Sequence, residues 1–284
     1  MKIVFPEFDN PVIQSALRLH RDVKDGIIPL ENFIHPEPIP IEAVPAKDLD
    51  EACELVKSHQ ADTMLAGIDY SSRDVILACR DHFGMAEGYS TFSGLAVMHR
   101  PSRTVPAPID IPSSPSQTYL LADMAACKHP TKAQLIDIIW QTYHSAKAIL
   151  RDEPRIALLS FSTLGSGGHD DFITLAQEII PNFREQGILI DGEMQLDAAV
   201  SPMIGEKKAP GSPVAGHANV LIAPDLNSGN ILYKSFEQFG GFTVAGPILQ
   251  GFNFPISDLS RGSTPLDVIL TIEVIARLAS SIQH

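Results

Sequence analysis

The feature that most restricts what this chain can fold into is an alternation. Short apolar runs of strand length are each followed by a longer segment of helical period. "KIVFPE" at residues 2–7 precedes "NPVIQSALRLHRDV", and "TMLAGI" at 63–68 precedes "SSRDVILACRDHF". In the second half, "RIALLSFST" precedes "HDDFITLAQEIIPNF", where Phe172, Leu175, Ala176, Ile179 and Phe183 fall on one face. "ANVLIAPDL", "SGNILYKSFEQF" and "FTVAGPILQG" continue the pattern as strand, helix and strand, and "TKAQLIDIIWQTYHSAKAIL" carries a helical apolar stripe capped by Thr131. Strands that alternate with helices pair in parallel and are covered on both faces. The expectation is therefore an α/β fold with a largely parallel sheet, its ligands meeting it beyond the carboxyl ends of strands. "GLAVMHR" and "TYLLADMAA" read as two more strands. The five prolines of residues 100–117 between them exclude regular structure there.

Composition sets outer limits. The 284 residues, 44% of them hydrophobic, suffice for one large domain or two ordinary ones. A formal charge of −13 argues against nucleic acid as a partner, because phosphate backbones attract basic surfaces. It also means that an anionic substrate needs a local basic pocket. No apolar run reaches the roughly 18 residues that span a bilayer, so no membrane partner is expected. "MKIVFPEFDN" lacks a signal peptide's apolar region, and three scattered cysteines fit a reducing cytoplasm. The ten histidines show no HxxxH pair, and no metal site is expected.

Three polar stretches stand out, the first two of them at strand ends. "SFSTLGSGG" offers the hydroxyls of Ser162, Thr163 and Ser166. Its Gly165, Gly167 and Gly168 let backbone N–H groups approach an anion. It is not a P-loop, since the GKS/GKT ending is missing, and an ordinary glycine-rich turn explains it as well. "PDLNSGNILYK" repeats the arrangement with Asp225, Asn227, Gly229 and Asn230, where capping chemistry is the alternative. "DLSRGSTPLD", residues 258–267, precedes a nearly all-apolar helical segment. Thr264 suits the N-cap, Pro265 the first helical position, and Asp267 the third, as in a capping box. Arg261 remains over: a cation beside the positive end of a helix is unfavourable unless an anion joins it.

Taken together, "LLSFSTLGSG", "DGEMQLDAAV", "KAPGSPVAGHANVLIAPDLNSGNILYK" and "GFNFPISDLSRGSTPLDV" resemble the phosphate acetyltransferase (phosphotransacetylase) family and its acyl-transferring relatives, from about residue 119 to the C-terminus. The resemblance implies a two-domain α/β/α fold of the isocitrate/isopropylmalate dehydrogenase type, with a cleft between domains. Residues 1–88 plus 247–284 would form one discontinuous unit and 89–246 the other. It implies acyl-CoA plus phosphate exchanging with acyl phosphate plus CoA by direct thiol attack, with coenzyme A as a substrate, no other cofactor, and a homodimer. The family's catalytic residues fall on Ser260, Arg261 and Asp267. Arg261 would hold phosphate, Ser260 would bond the oxygen on which charge develops, and Asp267 would take the thiol proton. Ser162, Thr163, Gly165, Ser166 and Gly167, with Asn230 and Lys234 of "GNILYKS", are the phosphate- and substrate-binding candidates.

Departures accompany the resemblance. Leu77 stands where the family has an arginine, with Arg73 and Arg80 close by; His217 and Phe254 stand where it has lysines, and Cys127 where it often has asparagine. These changes reduce the positive charge available to CoA phosphates and add an aromatic, so acyl size is left open. A phosphate butyryltransferase or branched-acyl enzyme, or a non-catalytic protein that keeps the phosphate pocket, are the alternatives. A nicotinamide dehydrogenase of the same superfold would need acidic metal-binding clusters that are not evident.

Overall fold

The computed structural model describes residues 1–25, 34–35, 37–102 and 117–282. The proline-rich stretch of residues 100–117 lies mostly outside them. In chain order the elements are β1 (Lys2–Phe5), α1 (Pro11–Lys24), β2 (Glu42–Pro45), α2 (Leu49–Lys57), β3 (Thr63–Ala66), α3 (Ser72–Phe83), β4 (Ser93–Arg100) and β5 (Gln117–Ala122). They continue with α4 (Lys132–Ile149), β6 (Arg155–Leu159), α5 (Asp171–Glu185), β7 (Leu189–Met194), α6 (Leu196–Val200), α7 (Pro202–Lys208), β8 (Val220–Ile222), α8 (Leu226–Gln238), β9 (Thr243–Gln250), β10 (Ile256–Asp258) and α9 (Pro265–Ile282).

All these strands join one sheet in the order β2-β1-β3-β10-β9-β4-β5-β8-β6-β7. The sheet is largely parallel, as expected: two parallel blocks, β2-β1-β3-β10 and β5-β8-β6-β7, flank an antiparallel centre. β9 and β4 run antiparallel to each other and to their outer neighbours. The blocks therefore run in opposite directions. Sheet twist of roughly 20–25° per neighbouring pair accumulates to more than about 120° between block centres. The boundary expected at residues 246/247 falls inside β9, so the sheet runs unbroken across it.

The helices cover both faces. α1, α4, α5 and α9 lie on one, while α2, α3, α6 and α8 lie on the other. α9 explains the apolar C-terminal segment: residues 267–276 are all buried. Its Leu270, Val274 and Leu278 join the core beneath α4 and α5, and its Ile269, Ile272 and Ile275 join the core beneath α1. A helix apolar on all sides must be buried on all sides. Each such aliphatic side chain contributes about 1.5–3 kcal/mol, so α9 is what holds the two blocks to one another on this face.

Candidate functional site

β10 ends at Asp258, and the chain then turns through Leu259, Ser260 and Arg261 into α9. The start of α9 is built as the capping pattern requires. Thr264 Oγ1 accepts the N–H of Asp267 (3.3 Å), and Asp267 Oδ2 accepts both the Thr264 N–H (2.8 Å) and its hydroxyl (2.7 Å). Asp267 Oδ1 accepts the N–H of Val244 on β9 at 3.1 Å. Both carboxylate oxygens are thus engaged and the residue is buried. These contacts hold the turn, and Asp267 is not among the residues that line the adjoining cavity. Arg261 is exposed and, among the described residues, makes no ion pair or hydrogen bond.

Ser260 and Arg261 line a cavity of about 180 Å³ together with Gly67, Tyr70, Ser72 and Leu259 from the same block, Pro247 from β9, and Tyr233 from α8 of the other block. At about 30 Å³ per water this holds some six waters or a tetrahedral oxyanion with a short substituent. Larger cavities exist, of about 910 and 510 Å³. The small one is singled out because a guanidinium, two hydroxyls and two phenols converge on it. Glu7 shapes its wall: its two carboxylate oxygens accept the N–H groups of Gly67 (2.9 Å), Ile68 (3.2 Å), Asp69 (2.5 Å) and Tyr70 (2.8 Å). Four consecutive N–H groups aimed at one point form an anion-binding concavity, here filled by the chain's own carboxylate.

α8 carries the other wall. Asn230, Tyr233 and Lys234 lie on one face at i, i+3 and i+4. The Lys234 ammonium sits 4.6 Å from the centre of the Tyr233 ring and 3.1 Å from Glu237 Oε2. Burial works against that ammonium, yet Tyr233 and Glu237 together hold its pKa above the ordinary value. Asn230 donates weakly to the Met124 carbonyl at 3.5 Å. Tyr233, which reaches the cavity itself, was not among the residues singled out from the sequence. Its place at i+3 from Asn230 was the available signal.

The glycine-rich turn departs from expectation. The N–H of Gly165 donates to Glu193 Oε1 (2.7 Å), that of Gly167 to Ser162 Oγ (2.7 Å), and that of Thr163 to Ser166 Oγ (3.0 Å). The Ser166 N–H donates to the Thr163 carbonyl. Ser162 Oγ donates to Glu193 Oε1 (2.7 Å), and Thr163 Oγ1 accepts the Gln195 N–H (3.0 Å). Ser162, Thr163, Gly165, Ser166 and Gly167 thus form a saturated turn around the buried carboxylate of Glu193, not an open cradle of free donors. The neighbouring Ser160 and Phe161 line the 910 Å³ cavity with Asn227, Ile231 and Ser235 of α8. Those positions lie on the opposite face of α8 from Tyr233, and no residue of this turn lines the Ser260–Arg261 cavity.

The departures resolve by position. Phe254 packs against Phe83 (5.2 Å) and His59 (5.7 Å) in the core beneath α2 and α3, not in the cavity. His217 lines the separate 510 Å³ cavity with Arg151 and Arg155. Arg80 pairs with Asp81 at 2.8 Å, which leaves exposed Arg73, beside Ser72, as the cation on α3 nearest the cavity wall.

Comparison with known proteins agrees with this architecture. A family model described as Phosphate acetyl/butaryl transferase matches residues 42–276. The phosphate acetyltransferase of Thermoanaerobacterium thermosaccharolyticum is 38% identical over 233 residues, 81% of this chain and 67% of that protein, so the match spans about two thirds of that relative's length. A phosphotransacetylase from Streptococcus pyogenes superposes with a TM-score of 0.75 at 31% identity, covering 99% of this chain and 94% of the other. A 4-hydroxythreonine-4-phosphate dehydrogenase from Klebsiella pneumoniae, at 13% identity and TM-score 0.50, covers 100% of this chain and 99% of its own, a likeness of fold alone. Both likenesses accord with the dehydrogenase-type α/β architecture expected of the sequence.

Proposed function

The chain belongs to the phosphate acetyl/butaryl transferase family, and from that premise we propose that it moves an acyl group between coenzyme A and inorganic phosphate. Acyl-CoA and phosphate exchange with acyl phosphate and CoA by direct attack of the thiol on the acyl carbonyl in a ternary complex. The observation that carries this reading is Arg261: a guanidinium without a partner among the described residues, lining a small cavity and next to the start of a helix. Such a group takes a phosphoryl oxyanion bidentately, and the helix end adds to the attraction. Ser260 beside it stabilises the oxygen on which charge develops. Asp267 orders the turn that carries both. Lys234 and Asn230, behind Tyr233, contribute charge and a donor on the opposite wall, and Arg73 supplies the cation missing at Leu77.

The cavity's modest volume and the two tyrosines that narrow it favour acetyl as the acyl group. No cofactor beyond CoA as substrate is required by this chemistry. We take the working protein to be a homodimer of the cytoplasm. Free Cys53, Cys79 and Cys127 suit a reducing compartment, and among the described residues no helix is long and apolar enough to cross a membrane. The test is phosphate-dependent release of CoA thiol from acetyl-, propionyl-, butyryl- and isobutyryl-CoA. Fastest release from acetyl-CoA supports the proposal, a preference for butyryl- or isobutyryl-CoA moves it to the longer or branched acyl enzymes, and no release from any of the four rejects it.

A further inference from the structure

The N-terminal ends of β5, β8 and β6 lie side by side in the sheet, at the opposite end of those strands from the turns that follow β6 and β8. They border the 510 Å³ cavity, which shares no lining residue with the Ser260–Arg261 cavity. Its volume lies within the roughly 300–1,000 Å³ of small-molecule sites. Two guanidinium groups line it, Arg151 from the turn after α4 and Arg155 from the first position of β6, with His217 beside Arg155. In a chain of formal charge −13, cations gathered at one cavity work against the global field and mark a place for an anion.

The groups around these cations fix them without neutralising them. The Arg155 guanidinium donates to the carbonyls of His217 and Glu153, and the Arg155 backbone N–H donates to Asn219 Oδ1 at 2.7 Å. Asn219 in turn donates to the Glu153 carbonyl at 3.0 Å. Carbonyl acceptors hold a guanidinium in place and leave its charge unpaired. The Glu153 carboxylate itself pairs with Lys147 at 3.0 Å. Arg151 is exposed and, among the described residues, holds no hydrogen bond or ion pair. Asp152 is the one acid among the described lining residues, so the guanidinium groups outnumber it. On the inner wall His99 is 2% exposed; its Nδ1 shares a hydrogen bond with Thr118 Oγ1 at 2.9 Å, and its Nε2 has no partner among the described residues. Burial lowers the His99 pKa to about 4, so the ring stands there as a neutral hydrogen-bonding group. Leu150, Val200 and Tyr119 supply apolar wall.

We propose that this cavity is a second anion site and takes a small organic phosphate. Two guanidinium groups and an imidazole call for more than one negative charge. A phosphoryl group carries two charges and three acceptor oxygens on a single atom, so Arg151, Arg155 and His217 can share it. A dicarboxylate divides its charge between two groups and would set one of them against the apolar wall or Asp152. The organic body of the ligand lies against Leu150, Val200 and Tyr119. The unpartnered ring nitrogen of His99 is accounted for by a further polar atom of that body, or by a water it orders. The site stands apart from the acyl-transfer reading, since it takes its ligand whether or not the chain turns over acyl-CoA.

The test is isothermal titration calorimetry on the full chain with adenosine 5′-monophosphate as the probe, set beside adenosine, inorganic phosphate and malate. The monophosphate should bind. Each of the other three should bind about tenfold or more weakly, because none joins a phosphoryl dianion to an organic body. Arg151→Glu should weaken the monophosphate by about tenfold or more, since it puts a repelling charge where the dianion had a partner. Arg261→Ala, which strips the substrate cavity of its cation, should change that affinity less than about twofold. Arg151→Glu should melt as wild type does and keep its turnover of acetyl-CoA with phosphate, because Arg151 is exposed and lies outside the substrate cavity. No binding at about 10 mM monophosphate would overturn the proposal. So would binding that is lost in Arg261→Ala and kept in Arg151→Glu, or a fall in the turnover of Arg151→Glu, either of which places the ligand with the substrates. Adenosine, malate or inorganic phosphate binding as tightly as the monophosphate would overturn the assignment to an organic phosphate.

Discussion

Asp267, in the first turn of α9, accepts the backbone N–H of Val244 on β9 across 3.1 Å while its other oxygen closes the Thr264 cap. One carboxylate therefore fixes both the helix start and its height against the sheet, and with them the Ser260–Arg261 turn. Asn at this position offers one acceptor oxygen and turns an NH₂ group toward a backbone donor. Asp267→Asn should lower stability by about 1–3 kcal/mol, a drop of several degrees in melting temperature for a chain of this size. KM for phosphate should rise as the turn loosens. The pH dependence of kcat should keep its wild-type shape, which calorimetry and steady-state kinetics on one preparation would establish.

Arg261 offers the opposite case, a residue whose loss leaves the fold unchanged. It is exposed and engages no other described residue, so Arg261→Ala should melt within about a degree of wild type. Loss of the charged partner of a bound phosphate should cost roughly 2–4 kcal/mol in kcat/KM. Arg261→Lys keeps the charge without the planar fork and should fall between the two. Near-wild-type kinetics in the alanine variant would remove Arg261 from the site.

Glu7 should behave as a scaffold for the cavity. Gln there keeps one acceptor and sets an NH₂ group against N–H groups of residues 67–70. Glu7→Gln should cost roughly 2–4 kcal/mol, counting weakened charged hydrogen bonds and unsatisfied donors, readable as a lower denaturant midpoint. Activity should fall even below the unfolding transition, because Gly67 and Tyr70 lose their fixed positions. A variant with the wild-type midpoint would contradict the geometry of this carboxylate.

Stability against pH isolates Asp258. Its folded value near 7 lies above the ordinary carboxylate value of 3.8, first because of burial. The native state then binds more protons than the unfolded chain between those values, and stability falls as pH rises through that window. Asp258→Asn removes the penalty. The melting-temperature difference, variant minus wild type, should be near zero at pH 3.5, grow between about pH 4 and 7, and level off above. The plateau should be positive, several degrees, corresponding to a stability gain on the order of a few kcal/mol. A flat difference across the range would show that Asp258 titrates normally.

Much of this protein was legible in its sequence because the deciding interactions are local. The strand–helix alternation gave the α/β class, since apolar period follows backbone geometry. "STPLD" marked the start of α9, because a capping box needs only Thr264, Pro265 and Asp267, and the nearly all-apolar run after it marked the helix itself. "DLSRG" pointed to an anion site through one misplaced cation, Arg261. Other features were decided only by the tertiary structure. β7 escaped notice because it carries Asp191 and Glu193, whose acidity is tolerated by Arg184, Ser162 and Gly165 brought from elsewhere in the fold. The reversed central strands depend on which edges meet, and local sequence does not encode that. The free donors expected of "SFSTLGSGG" are engaged partly within the turn and partly by Glu193, some thirty residues onward. Asp258, two places before Ser260, carries no local mark at all. Burial and hydrogen-bond satisfaction belong to the packed whole, so the same carboxylate is an anchor at Glu7 and an unpartnered acid at Asp258.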